Sequence, residues 1–334
     1  MKRRRGCAAA VVLGLLGTAG VGCGGLVGVP VVLAATVRLD AAMRERDDPV
    51  VVAPGRLLET PEGRLHAWAW TPDEVDAAQP LVVLVHGSAA WAGVWEPVAT
   101  ELHARGLSVV AVDLPPFGYS ERPSQATYGR ADQARRIWAA VDALGAEEVV
   151  LVGHSFGAGP VMEAAMVRPG ATRGVVLLAG ALSLGEEPAS LGPLGWRPLT
   201  ELATAATLTQ PWAFPAGLRA MVHDGTVVTD AWVERYTRPL SVQGTTSAVA
   251  DWLPELMAPA PAKSLEEASY RGLQVPVLLV AGAQDHVTPP AQLAHVDGLL
   301  PVSTLVVLPE VGHLPPVEVP IEVVGQIEGF VLQL

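Results

Sequence analysis

Along the chain, short apolar runs alternate with stretches whose apolar positions repeat at helical spacing. Leu81–Val85 is wholly apolar, the pattern of a strand buried on both faces. Runs of the same type recur at Leu107–Val112, Val149–Val152, Val175–Leu178, Val277–Val280 and Thr304–Leu308. Upstream, Val50–Glu59 and Arg64–Trp70 predict two strands around a turn at Pro61-Glu62-Gly63. Helices are predicted over Trp95–Ala104, Gln133–Leu144, Ala158–Val167 and Pro290–Leu299. A last helix follows Pro320, with Ile321, Val324, Ile327, Val331 and Leu334 at helical spacing. The pattern predicts an α/β fold, with a mostly parallel eight-stranded sheet flanked by helices and an antiparallel edge made by the opening pair.

Leu182–Arg271 breaks the rhythm. It lacks a buried-strand run, is rich in Pro and holds Trp196, Trp212, Trp232 and Trp252. A stretch of that length is no ordinary loop. It predicts a helical cap, or lid, inserted after the sixth strand. The expected organisation is an N-terminal segment (1–40), a core in two parts (41–181 and 272–334) and the cap between them (182–271).

The N-terminus is of another character. Lys2, Arg3, Arg4 and Arg5 precede a run from Gly6 to Val37 with no charged residue. That predicts a single membrane span with the basic cluster left in the cytoplasm and everything after about Asp40 exported. Glycines between Gly20 and Gly28, then Pro30, leave a second reading open. In it a signal segment is cleaved near Ala34 or Ala35, releasing a secreted or periplasmic protein.

Composition narrows the classes further. Half of the 334 residues are hydrophobic and only 17% are charged, which excludes a disordered chain. A net charge of −12 argues against nucleic acid as a partner. The two cysteines, Cys7 and Cys23, both fall in the N-terminal run, which excludes a disulfide scaffold. Oligomeric state is not fixed by anything in the sequence.

Candidate chemistry sits at the ends of the predicted strands. Gly153-His154-Ser155-Phe156-Gly157 joins a strand to a helix, the context in which G-x-S-x-G exposes a nucleophilic serine on a strained turn. A serine hydroxyl needs a base, and that base an orienting acid. His313 follows the last strand and Asp285 the one before it, giving the order Ser155, Asp285, His313. That is one of the known triad orders. Glu186, behind the sixth strand, is a weaker alternative acid. Backbone N–H groups of Phe156 and Ser88 are the candidate oxyanion donors, with His86 a brace for the Ser88 loop.

Together with Asp113-Leu114-Pro115-Pro116-Phe117-Gly118-Tyr119-Ser120 and Gly312-His313-Leu314-Pro315 with Glu318 and Pro320, these motifs resemble the α/β-hydrolase superfamily, in its lidded branch. The resemblance covers about residues 50–334 and implies the α/β-hydrolase fold. Pro116 stands where similar chains carry glycine, a departure in a loop whose role in the family is structural. Serine as nucleophile, where the family's dehalogenases and epoxide hydrolases use aspartate, points to acyl chemistry. The reaction expected is hydrolysis of a carboxylic ester of a small, apolar acyl substrate through an acyl-enzyme. Hydrolysis of C–C bonds, perhydrolysis, lactone or amide cleavage and acyl transfer use the same triad and stay open, with a non-catalytic binding protein more remote. No cofactor and no metal are called for. Trp91 and Trp95, after the oxyanion loop, are candidate walls of the substrate site.

Overall fold

In the computed structural model, residues 28–70, 79–123, 127–184 and 192–334 are described. The chain enters through helix α1 (Gly28–Arg44) and forms the hairpin β1 (Arg56–Thr60) and β2 (Gly63–Trp70). There follow β3 (Leu81–Val85), α2 (Glu96–Ala104), β4 (Val109–Val112), α3 (Arg130–Leu144), β5 (Val149–His154), α4 (Ala158–Val167) and β6 (Thr172–Leu178). Between β6 and the next strand stand α5 (Arg197–Ala206), α6 (Phe214–Met221), α7 (Asp230–Thr237), α8 (Thr245–Met257) and α9 (Glu267–Gly272). The chain closes with β7 (Val277–Gly282), α10 (Pro290–Asp297), β8 (Ser303–Leu308) and α11 (Pro320–Val331).

The strands form one eight-stranded sheet in the order β1-β2-β4-β3-β5-β6-β7-β8. β2 pairs antiparallel with β1 and β4, and every pairing from β4 to β8 is parallel. The predicted sheet and its antiparallel edge are therefore present. Alternation along the strands explains the two cores. Val83, Val85 and Leu151 pack with Ile137, Val161 and Leu293 of α3, α4 and α10, while Val82, Leu84 and Val152 pack with Val98, Leu102 and Ile327 of α2 and α11. Each such side chain taken out of water contributes roughly 1.5–3 kcal/mol, which is why these strands carry hardly a polar residue.

The start of β1 departs from expectation. Val50–Val52 is not strand but part of a helical turn, Pro49–Val52, and β1 begins at Arg56. The Asp48 carboxylate accepts the Val50 N–H, and Pro49 brings a φ already suited to a first helical position. Those two residues outweigh the β-branched run behind them.

The expected membrane span, with an exported domain behind it, is overturned. Among the described residues no helix is long and apolar enough to cross a membrane. The run up to residue 27 lies outside the described residues, and from Gly28 the chain runs as α1 into Arg38, Asp40 and Arg44. These charged positions bind protein. Arg44 donates to the Thr209 carbonyl (2.9 Å), Gln210 donates to Asp40 (3.1 Å), and the Glu45 carboxylate just beyond accepts the Thr246 N–H (3.0 Å). Ala34 and Ala35, the expected signal-cleavage positions, lie inside the same continuous helix.

Candidate active site

Ser155 follows β5 directly and has φ of +50°, the left-handed region that costs a non-glycine residue on the order of 1–2 kcal/mol. The turn lifts its hydroxyl off the end of the sheet. There the Ser155 Oγ lies 2.8 Å from His313 Nε2, and His313 Nδ1 lies 2.8 Å from Asp285 Oδ2. All three residues are buried. With Nδ1–H donated to the carboxylate, Nε2 carries the lone pair that faces the serine proton. The residues predicted from sequence are thus brought together in the predicted order. Glu186, the weaker alternative, lies outside the described residues.

Asp285 is held by more than the histidine. Its Oδ1 accepts the N–H groups of Val287 (2.8 Å) and Thr288 (2.9 Å), and the Thr288 hydroxyl stands 2.7 Å from Oδ2. Burial pushes the Asp285 carboxyl up, but the His313 hydrogen bond and charge and the Thr288 donors outweigh it, leaving the pKa below the ordinary value. The acid is therefore an anion at neutral pH.

The loop after β3 lies against the nucleophile. A methyl group at Gly87 would come within 3.1 Å of Ser155 Cβ and 2.9 Å of His154 Nδ1, so glycine is what allows this approach. The Ser88 amide follows Gly87 directly, and the Phe156 amide follows Ser155. His86 braces the loop. Its Nε2 accepts the Leu114 N–H (3.0 Å), which leaves Nδ1–H to donate to the Gly87 carbonyl (2.8 Å).

Two residues of the site were not foreseen as such. His154 donates Nε2–H to the backbone carbonyl of His313 (2.8 Å), and burial, then the neighbouring His313, pushes its pKa down to about 3. It is a neutral strut under the base. Thr288 is the other, and its position three residues after Asp285 is the local signal for a side chain capped by its own turn.

Trp91 and Trp95, expected as substrate walls, are buried packing residues with 1% and 0% exposure. Trp91 stacks on Trp68 (5.8 Å between ring centroids) and donates its indole N–H to the Arg235 carbonyl of α7 (2.6 Å), so it joins the loop to the inserted helices. Trp95 meets His154 edge-on (6.4 Å). The aromatic groups beside Phe156 are instead Phe117 (6.4 Å) and Trp252 of α8 (5.4 Å). Between this loop and the inserted helices lies a cavity of about 20 Å³ lined by Ala89, Phe117, Leu208, Tyr236, Leu240 and Val249 among others.

A second buried cluster steadies the same loop. Asp113 accepts from the backbone N–H of Ala92 and of Tyr119 (2.8 Å) and from His66 Nδ1 (2.7 Å). The other His66 nitrogen faces the Pro54 carbonyl, so both ring nitrogens meet acceptors and the ring is a cation. Burial pushes its pKa down, but the Asp113 charge and hydrogen bond and the Pro54 carbonyl together carry it above the ordinary value.

Comparison with known proteins agrees with this fold. The family described as alpha/beta hydrolase fold matches residues 80–320. The chain belongs to the α/β-hydrolase family. It is 27% identical over 256 residues to the uncharacterized hydrolase YugF of Bacillus subtilis, spanning 75% of this chain and 89% of that one. It is 30% identical over 258 residues to the 2-hydroxy-6-oxo-2,4-heptadienoate hydrolase of Pseudomonas putida, spanning 73% and 86%. Its fold is that of a thermophilic esterase from Thermogutta terrifontis, with a TM-score of 0.67 at 20% identity over 84% of this chain and 99% of that one. As a hydrolase of this family the chain is an enzyme whose substrate is expected to be a small molecule.

Proposed function

We propose that this α/β-hydrolase cleaves a carboxylic ester with a small, apolar acyl group, using Ser155 as nucleophile, His313 as general base and acid, and Asp285 as the orienting anion. The observation that carries the reading is the unbroken hydrogen-bonded chain from Ser155 Oγ through His313 to Asp285, 2.8 Å at each step. In the first half-reaction Ser155 Oγ attacks the carbonyl carbon as its proton passes to His313 Nε2. The oxyanion is taken by the N–H groups of Ser88 and Phe156, and preorganised donors of this kind are worth about 3–4 kcal/mol each. Collapse expels the alcohol, which leaves with the proton from His313. Water, deprotonated by His313, then attacks the acyl-enzyme and restores Ser155.

In this reading residues 182–271 act as a lid over the core formed by 41–181 and 272–334. Phe117 and Trp252, packed beside Phe156, are apolar neighbours of the oxyanion loop and favour an aliphatic or aromatic acyl group. Hydrolysis of a carbon–carbon bond is the second reading, and the similarity to the Pseudomonas putida hydrolase favours it. The test is turnover by the whole chain, intact and as Ser155→Ala, of p-nitrophenyl esters of graded chain length beside a vinylogous diketone acid. Ester hydrolysis that vanishes in the variant is expected. Turnover of the diketone alone would replace the ester reading with the second one.

A further inference from the structure

The backbone around His313 is held by groups from outside its own loop. The His313 N–H donates to the Met221 carbonyl at the end of α6 (2.7 Å), and its carbonyl accepts from His154 (2.8 Å). On either side, the N–H groups of Gly312 (2.9 and 3.0 Å) and Leu314 (3.1 Å) donate to the carboxylate of Glu318. That same carboxylate accepts the N–H of His223 (2.7 Å), two residues past Met221 and again on the inserted segment. The two chains meet closely. A methyl group on Gly312 would stand 2.6 Å from the Met221 carbonyl oxygen and 2.8 Å from the His223 nitrogen.

Glu318 therefore bridges the histidine loop and segment 221–223 of the insertion through one half-buried carboxylate. We infer that Glu318 is a positioning residue that couples docking of the insertion to the seating of His313. The base is correctly held while segment 221–223 lies against its loop, and loses that support when the segment lifts. With the bridge in place, the nucleophile is fully activated once the insertion has settled back over the substrate. That arrangement disfavours attack on small molecules that leave the site open.

This inference rests on the role proposed for His313, and its test has one readout that does not. In Glu318→Met no oxygen is left to accept from Gly312, Leu314 or His223, so the bridge opens while the side chain keeps about its length. The expected result with the whole chain is a kcat on p-nitrophenyl ester lowered roughly 10–100-fold, with KM changed by less than about threefold. Backbone hydrogen exchange is expected to rise together in 220–224 and 311–314, while β3 and β5 keep their protection. Should Glu318→Met fail to fold, Gly312→Ala disturbs the same seam from the other side and carries the same two expectations. Unchanged kcat, or faster exchange in 311–314 without 220–224, would overturn the coupling. An intact chain without Ser155-dependent turnover would instead overturn the proposed function, and the exchange readout would still decide the coupling.

Discussion

Acid is expected to weaken this protein through His154. The ring is buried between the serine turn and the Gly87 backbone, with Nε2–H committed to the His313 carbonyl. Burial and the neighbouring His313 hold its pKa at about 3, against 6.5 for the exposed side chain. A depressed folded pKa contributes stability that is fully present above 6.5 and is lost as the pH falls toward 3. Each pH unit inside that window costs about 1.4 kcal/mol, so roughly 2 kcal/mol is gone at pH 5. The figure holds for any folded pKa well below 5. His154→Gln keeps an N–H donor but cannot titrate. Urea unfolding of both proteins at pH 7.5 and pH 5 isolates the residue, since the other buried groups, His86 among them, are common to both. The stability gap between the two proteins is expected to shift by about 2 kcal/mol in favour of the variant at pH 5. A gap that stays constant would refute the neutral-strut reasoning.

Asp285→Asn removes the anion that fixes the His313 tautomer, while the Val287 and Thr288 N–H groups still find an acceptor oxygen. A loss of about 10⁴-fold in kcat with little change in melting temperature is expected from steady-state kinetics and a thermal scan. Asp113→Ala strands the His66 cation and frees the Ala92 and Tyr119 N–H groups in the core, at a cost of about 3–5 kcal/mol read by chemical unfolding. The His66 contribution is complete below 6.5 and is lost as the pH rises through its elevated folded pKa, so the gap to wild type is expected to narrow on the alkaline side.

Features set by local pattern are legible in the sequence. Strands β3 to β7 are apolar because both faces are covered, and such runs have few other readings. Ser155, Asp285 and His313 follow strand ends in an order that few unrelated chains combine with G-x-S-x-G. Features set by long-range contact are not legible. His154 meets His313 across 159 positions, and nothing near either residue announces the bond. Trp91 and Trp95 defeat placement from sequence because an aromatic residue looks the same there whether it lines a pocket or fills a core. The apolar run before Arg38 reads as a span because the groups α1 docks against, Thr209 and Gln210 on the insertion, lie far along the chain.

The central claim is that Ser155, activated by His313, is the nucleophile. Its most direct test is reaction of the whole chain with a fluorophosphonate, followed by intact mass and peptide mapping. The account predicts one phosphonyl group, carried by Ser155, with no adduct in Ser155→Ala and greatly slowed reaction in His313→Ala. An adduct that persists in Ser155→Ala, or a rate indifferent to His313, would contradict it.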